Sequence, residues 1–227
     1  MKDLNQQILS FNYEQNFKDQ DFYVSKSNDY SFKLLNSWPK WEKNFVNLIG
    51  ENFSGKSHLI NIFLQNHKGI KIPADKITND ILKEIKIYEN VIVEDLVDNI
   101  DENLLFTLIN TIEQDNKYLI VTTTKPIVEF KFKLQDLNSR AKNFLLSVIE
   151  KPEDDLMYAL ILKNLSDRQI SIDKKLIDFI IKRISRSYGK ISDFIYKIRN
   201  FTIRSVNSLN NEVNKFFVYK YLTIRKI

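Results

Sequence analysis

The sequence predicts an α/β core, a parallel sheet with helices on both faces, followed by a smaller all-helical region. Three observations predict it. Short apolar runs recur between amphipathic segments, a glycine-containing turn joins the first run to a helix, and beyond Lys151-Pro152 only helical spacing continues. Apolar runs that do not alternate with polar residues fit strands buried on both faces, and strand–helix alternation is the grammar of a doubly wound core.

Strands are expected at 45–49, 91–93, 118–122 and 144–149, with a weaker one at 69–73. Helical patterns fall at 57–65, 78–85 and 102–114, with a short piece near 134–137. Pro152 suits the first turn of a helix, and helices are expected at 154–165, 173–185, 191–205 and 211–221. Ile177, Ile180, Ile181 and Ile184 form one stripe at helical spacing, which reads as core. The chain therefore divides into a tail over 1–20, an α/β core over 21–150 and a helical region over 151–227.

Composition narrows the chemistry. The 227 residues suit one large domain or one domain with a small companion, at about 150 residues per domain. The absence of cysteine excludes a disulfide framework, a thiol nucleophile and a Cys-ligated metal. Two histidines, His58 and His67, argue against a His-cluster metal site and leave little room for a Ser-His-Asp triad. No apolar run approaches the roughly 20 residues of a membrane span, and no signal-peptide apolar region opens the chain. A cytoplasmic protein without a membrane partner is expected. Net charge is +5, but residues 151–227 carry +8 and residues 1–150 carry −3, so a basic second part follows a near-neutral first. A general lysine-rich bias explains the net charge equally well.

Gly50-Glu51-Asn52-Phe53-Ser54-Gly55-Lys56-Ser57 matches G-x-x-x-x-G-K-[ST] at every specified position, with a strand before it and a helix after it. Glycines let backbone N–H groups wrap a phosphate, and the helix N-terminus adds positive partial charge. Lys56 is placed for the β and γ oxygens, and Ser57 offers a hydroxyl to Mg²⁺. Val91-Ile92-Val93-Glu94-Asp95 then supplies two acids at the carboxyl end of a strand, where ligands bind in such sheets. Glu94 takes the metal-side position and Asp95 the position that orients water, whereas the usual order is Asp followed by an acid. Asp98 and Asp101 read as caps of the following helix. Thr122, Thr123 and Thr124 end the next strand, where a polar side chain lies near a γ-phosphate; threonine also favours strands for ordinary reasons.

In this order, the phosphate loop, the acidic strand, the polar strand end, an arginine and a helical cap resemble the AAA+ ATPases. Asp21-Phe22-Tyr23-Val24-Ser25-Lys26-Ser27-Asn28, Asn36-Ser37-Trp38-Pro39-Lys40-Trp41, Asn47-Leu48-Ile49-Gly50 and Gly55-Lys56-Ser57-His58-Leu59 narrow this to the DnaA-related family. They are most similar to its short regulatory paralogue Hda, called HdaA in alphaproteobacteria. The resemblance runs from about Gln6 to Thr202. It implies that Phe22, Tyr23 and Val24 pack near adenine, that ADP or ATP binds with Mg²⁺, and that the helical region is a lid. Gln6, Leu9 and Phe11 fit the family's clamp-binding peptide, although Gln7 stands where an aliphatic residue is usual. Arg140, the first arginine in the chain, follows Asp136-Leu137-Asn138-Ser139 as in the family's arginine-finger box, which reaches a neighbouring subunit's nucleotide. The family's lid arginine falls on Gly189, leaving Arg186 or Lys190 to substitute. No helix-turn-helix segment follows this core, so direct recognition of origin sequence is not expected.

The resemblance thus implies a cytoplasmic, nucleoid-associated regulator of replication initiation. With the β sliding clamp, it would promote hydrolysis of ATP bound to the initiator DnaA and so prevent re-initiation. Its contact with DNA would run mainly through the clamp, its own ATPase would be weak, and self-association is a further option. The alternative is a DNA-binding initiator-like or helicase-loader-like replication ATPase, motivated by Lys182, Arg183, Arg186, Lys190, Lys197, Arg199 and Arg204. A nucleotide-binding scaffold is a third reading.

Overall fold

Five apolar runs form one parallel sheet in a computed structural model that describes residues 22–168 and 170–204. The strands are β1 (Phe45–Ile49), β2 (Gly69–Pro73), β3 (Asn90–Glu94), β4 (Tyr118–Thr123) and β5 (Leu145–Val148), in spatial order β2-β3-β4-β1-β5. Between them lie α2 (Lys56–Asn66), α3 (Asn79–Glu84), α4 (Glu102–Gln114) and α5 (Gln135–Ala141); α1 (Asp29–Asn36) precedes β1. The chain enters at β1, inside the sheet, and its first crossover carries it to the β2 edge. The turn after β1 therefore opens at the carboxyl edge of the sheet between strands, where such folds bind ligands.

Side-chain alternation along the strands builds two cores. Phe45, Val91, Val93, Leu119 and Val121 face one way, onto Leu105, Leu108, Ile109 and Ile112 of α4 and Leu137 of α5. Val46, Leu48, Ile92 and Ile120 face the other, onto Leu35 of α1 and Leu59, Ile60 and Phe63 of α2. Helices α1 and α2 thus cover one face and α4 and α5 the opposite one, with period-two residues between them. Trp38 and Trp41 pack on Phe63 and against Tyr118, the first residue of β4, so the Trp-Pro-x-Trp segment sits at the amino end of the sheet. 

Asn47 is the polar exception in β1 and is fully buried. Its Nδ2 donates to Val121 O at 3.3 Å and to Thr123 Oγ1 at 2.8 Å, while its Oδ1 accepts the Ile127 N–H at 2.8 Å. All of its hydrogen-bonding groups are engaged, which makes burial tolerable.

After β5 come α6 (Asp154–Ser166), α7 (Lys174–Ile181) and α8 (Tyr188–Arg204). They share a core of Met157, Ile161, Leu165, Leu176, Ile177, Ile180, Ile191, Phe194, Ile195 and Ile198. Leu156 and Tyr188 instead join the α2-side core and tie this helical group to the sheet. Among the described residues, no helix is long and apolar enough to cross a membrane.

Several elements depart from the sequence expectations. Helix α1 has no forecast; it is only eight residues long, and Leu35 is its one fully buried apolar residue. Ser31 is interior because its hydroxyl bonds the Ser147 hydroxyl of β5 at 2.8 Å. Helix α5 extends past the expected 134–137 piece, and α7 ends at Ile181 rather than 185. Helix α8 begins three residues before 191, since a distant carboxylate caps it, as described below. The expected 211–221 helix and the tail over 1–20 lie outside the described residues.

Asn47→Ala removes three hydrogen bonds and leaves the Ile127 N–H without its acceptor. It is expected to lower unfolding free energy by about 1–3 kcal/mol, read as an earlier urea midpoint with an unchanged m value.

Candidate phosphate-binding site at the carboxyl edge of the sheet

The turn after β1 is built from close backbone approaches. Gly50 N–H donates to Thr123 O at 3.1 Å, continuing the β1–β4 ladder. A Cβ on Gly50 would stand 2.5 Å from Ser54 Oγ, so a side chain there would force Ser54 to shift. Gly55 has φ of +93°, the left-handed region where a side chain is strained, and the next residue opens α2. Phe53 adopts φ of +67° with its ring 71% exposed, an uncommon state for a bulky residue.

Lys56 lies across this turn, buried, with Nζ donating to Gly50 O at 2.7 Å and Glu51 O at 3.1 Å. Burial pulls its pKa below the usual lysine value, while Asp95, Glu51 and Glu94 act in the opposite direction through their charges. The structure therefore brings Lys56 and the acidic pair into one electrostatic neighbourhood. Ser54 Oγ is buried without a hydrogen-bond partner, Asn52 is exposed, and Ser57 is exposed on the first turn of α2. His58 meets Phe22 edge-on, with ring centres 5.3 Å apart, and Phe22 also stacks on Phe32 at 5.9 Å. Phe22 reaches the turn itself, since a Cβ on Gly55 would lie 3.4 Å from its ring. Tyr23 and Val24 are exposed beside it.

Glu94 ends β3 with one oxygen, Oε1, buried and without a partner and the other 3.4 Å from Lys71 Nζ. Asp95 has φ of +54°, and its N–H donates to Thr122 Oγ1 at 2.9 Å. Thr122 and Thr123 are buried and bonded to Asp95 and Asn47, so of the three threonines Thr124 is the exposed one. Asp101 caps α4 through the Asn103 and Leu104 N–H groups. Asp98, expected to cap as well, instead pairs with Lys125 at 2.7 Å, which lowers its pKa.

Sequence reasoning missed the role of Glu51, which occupies a free position of the motif. Its Oε2 accepts the Ser187 hydroxyl at 2.8 Å and its Oε1 accepts the Tyr188 N–H at 2.9 Å, capping α8. Tyr188 OH donates to Glu150 O at 3.1 Å, and burial pushes its phenol pKa up. The phosphate turn and the C-terminal helices are thus joined by a carboxylate at a helix N-terminus, a favourable charge arrangement. Arg186 pairs with Asp154, whose Oδ1 is 2.9 Å from its Nη2, and Lys190 is exposed in the first turn of α8.

Arg140 is not among these residues. It lies on α5, half-buried, paired with Glu113 of α4 and 5.4 Å from the centre of the Phe106 ring. Gln6, Leu9 and Phe11 lie outside the described residues.

The donor chemistry suits a hard divalent cation. Among the described residues no three His, Cys, Asp or Glu side chains cluster as a metal centre. The residues that would hold a cation here are Ser57, through its hydroxyl, Glu94, through its orphaned oxygen, and Asp95. That is how Mg²⁺ is usually held in nucleotide sites.

No protein-family model matches the chain. It is 26% identical over 197 residues to the chromosomal replication initiator protein DnaA of Helicobacter hepaticus, covering 76% of this chain and 42% of that protein. The chain spans about two fifths of the length of the curated relatives it matches first. Domain III of the Thermotoga maritima replication initiation protein DnaA superposes with a TM-score of 0.71 at 14% identity, covering 92% of this chain and 96% of that one. AMPPCP-bound DnaA from Aquifex aeolicus superposes at 0.65 with 16% identity, over 79% and 64% of the two chains. The chain is homologous to the AAA+ domain of DnaA, and its fold is that of the AAA+ neighbours.

Removing the Glu51 carboxylate leaves the Tyr188 N–H without its acceptor. For Glu51→Ala, the Tyr188 amide is expected to exchange with deuterium roughly ten- to a hundredfold faster, the equivalent of one hydrogen bond to a charged group. Amides in the middle of β1 should keep their protection.

Proposed function

We propose that this chain binds an adenine nucleotide at the Gly50–Ser57 turn and acts in replication control by promoting hydrolysis of ATP held by a DnaA partner, together with the β sliding clamp. The observation that carries the nucleotide reading is the Lys56 ammonium, held on Gly50 and Glu51 carbonyls within reach of the Glu94 and Asp95 charges. A phosphate tail entering the turn would draw Lys56 off those carbonyls and meet the N–H groups at the start of α2. Phe22 supplies an aromatic wall next to Gly55 for the base. Helices α6–α8 act as the lid, with Glu51 as their link to the phosphates. The Ser57 hydroxyl, Glu94 and Asp95 would hold Mg²⁺, which would supply charge neutralisation for the bound phosphates. Asp95, exposed and held by Thr122, is the residue placed to orient water.

Topology supports action on a partner's nucleotide. Helix α5 covers the sheet face opposite α2, and Arg140 stands shortly before β5, toward the amino edge of a parallel sheet. The phosphate turn is at the carboxyl edge. Arg140 cannot serve its own chain's nucleotide without crossing the sheet, so any nucleotide it serves belongs to another protomer. Leaving Glu113, itself half exposed, costs little because exposed ion pairs are weak.

Arg140→Ala is expected to keep nucleotide binding and to lose stimulation of hydrolysis of DnaA-bound ATP, by about a hundredfold or more if the guanidinium stabilises transition-state charge. Glu113→Gln, which releases Arg140, should keep stimulation at or above the unmodified level. Undiminished stimulation by Arg140→Ala in the presence of clamp-loaded DNA overturns the assignment.

Acidity gives a second check on the Lys56 reading. Because burial lowers the Lys56 pKa from the usual 10.5, the folded chain gives up this proton before the unfolded chain does. Folding therefore gains stability as pH rises through the interval below 10.5. A bound phosphate favours the ammonium, so nucleotide binding in that interval takes up a proton and weakens as pH rises. Calorimetry in buffers of different ionisation enthalpy reads this directly, and Lys56→Ala should abolish both the uptake and most of the affinity.

A further inference from the structure

Glu94 interacts with two ammonium groups, and only one of them belongs to the Gly50–Ser57 turn. Lys56 interacts with it through charge, and Lys71 of β2 approaches its Oε2 to 3.4 Å. Lys71 is itself anchored, donating to Asn61 Oδ1 of α2 at 3.0 Å. The register explains the meeting. Pro73 lies opposite Glu94, and Lys71, two residues earlier on the neighbouring strand, shares the face that α2 covers. The Glu94 side chain is only 14% exposed, so its charge needs compensation nearby, and Lys71, at 35%, supplies it from the open rim.

We infer that Lys71 is a positioning residue that takes over part of the work of a divalent cation at Glu94. A carboxylate in this place normally gains its countercharge from Mg²⁺ when nucleotide binds. Here the countercharge is already fixed by covalent attachment to β2 and oriented by Asn61. The ammonium holds Oε2, leaving Oε1 as the oxygen free to face a cation, and it repels a second positive charge brought to the same carboxylate. Nucleotide affinity in this protein therefore depends weakly on Mg²⁺. Replacing the lysine with an uncharged residue restores the dependence, because Glu94 is then buried with a smaller share of compensation and only the cation can supply the remainder. This rests on the Gly50–Ser57 turn being the nucleotide site.

The test is the affinity for a fluorescent ADP analogue, measured with Mg²⁺ and with EDTA, in the full chain. Unmodified protein is expected to show a ratio of dissociation constants within about threefold between the two conditions, under 1 kcal/mol. Lys71→Met should raise the ratio to about tenfold or more. Asn61→Ala, which frees Lys71 without removing its charge, should move the ratio the same way by less, and Lys71→Arg should restore it. A ratio for Lys71→Met equal to that of the unmodified protein overturns the role of Lys71 while leaving the nucleotide site in place. A tenfold ratio in the unmodified protein overturns it as well. If the unmodified protein binds the analogue in neither condition, the nucleotide site falls and this inference falls with it. Thermal melting separates the case in which Lys71→Met is unfolded, and Asn61→Ala then decides.

Discussion

A buried ammonium surrounded by oxygen sets the shape of the carboxyl edge of this sheet. Lys56 draws Gly50 O and Glu51 O inward, and that curl is accommodated because Gly50 carries no Cβ against Ser54 and Gly55 takes a left-handed turn into α2. Burying a lysine is costly, and the cost is partly offset by peptide carbonyls and by three carboxylates, which come from the turn and from the end of β3. The strands bring these groups together. β1 is flanked by β4, β4 by β3, and each delivers its last residues to the same edge, so Thr123, Thr122 and Asp95 form a connected series of hydrogen bonds beside the turn.

The same turn governs the second half of the molecule through Glu51. Its backbone carbonyl holds Lys56 while its carboxylate holds the Ser187 hydroxyl and the Tyr188 N–H. One residue thus reads the state of the loop on its main chain and sets the start of α8 with its side chain. Tyr188 and Leu156, packed into the α2-side core, extend that hold into apolar contact. A ligand that displaces Lys56 from the Glu51 carbonyl acts on the residue that positions the helical group. Coupling between phosphate binding and the α6–α8 group then needs no longer-range device.

Much of this was legible in the sequence, and the exceptions have a common cause. The strands read directly as apolar runs because both faces of the sheet are covered, and the turn from β1 into α2 read directly because its glycines take a close approach and a left-handed φ. Asp98 did not read correctly, since it chooses a lysine after the next strand, and α1 was not read, since a serine pair to β5 supplements the apolar contacts of this short helix. Glu51, Lys71 and the early start of α8 were invisible for the same reason. Each depends on a polar contact between residues far apart in the chain, at positions where the motif or the hydrophobic period specifies nothing.

The location of Arg140 carries the remaining step. Its neighbours Glu113 and Phe106 come from α4, the layer that covers the other face of the sheet from α2. Its contact with Glu113 is a partly exposed ion pair, the kind that exchanges readily for another anion. The Gly50–Ser57 turn and Arg140 are separated by the thickness and the length of the sheet. On the function proposed above, these two surfaces would serve one nucleotide only between chains, with the turn of one protomer facing the α4–α5 layer of the next. The sheet therefore does more than position a site. It holds Arg140 and the Gly50–Ser57 turn on opposite faces and at opposite edges of one layer.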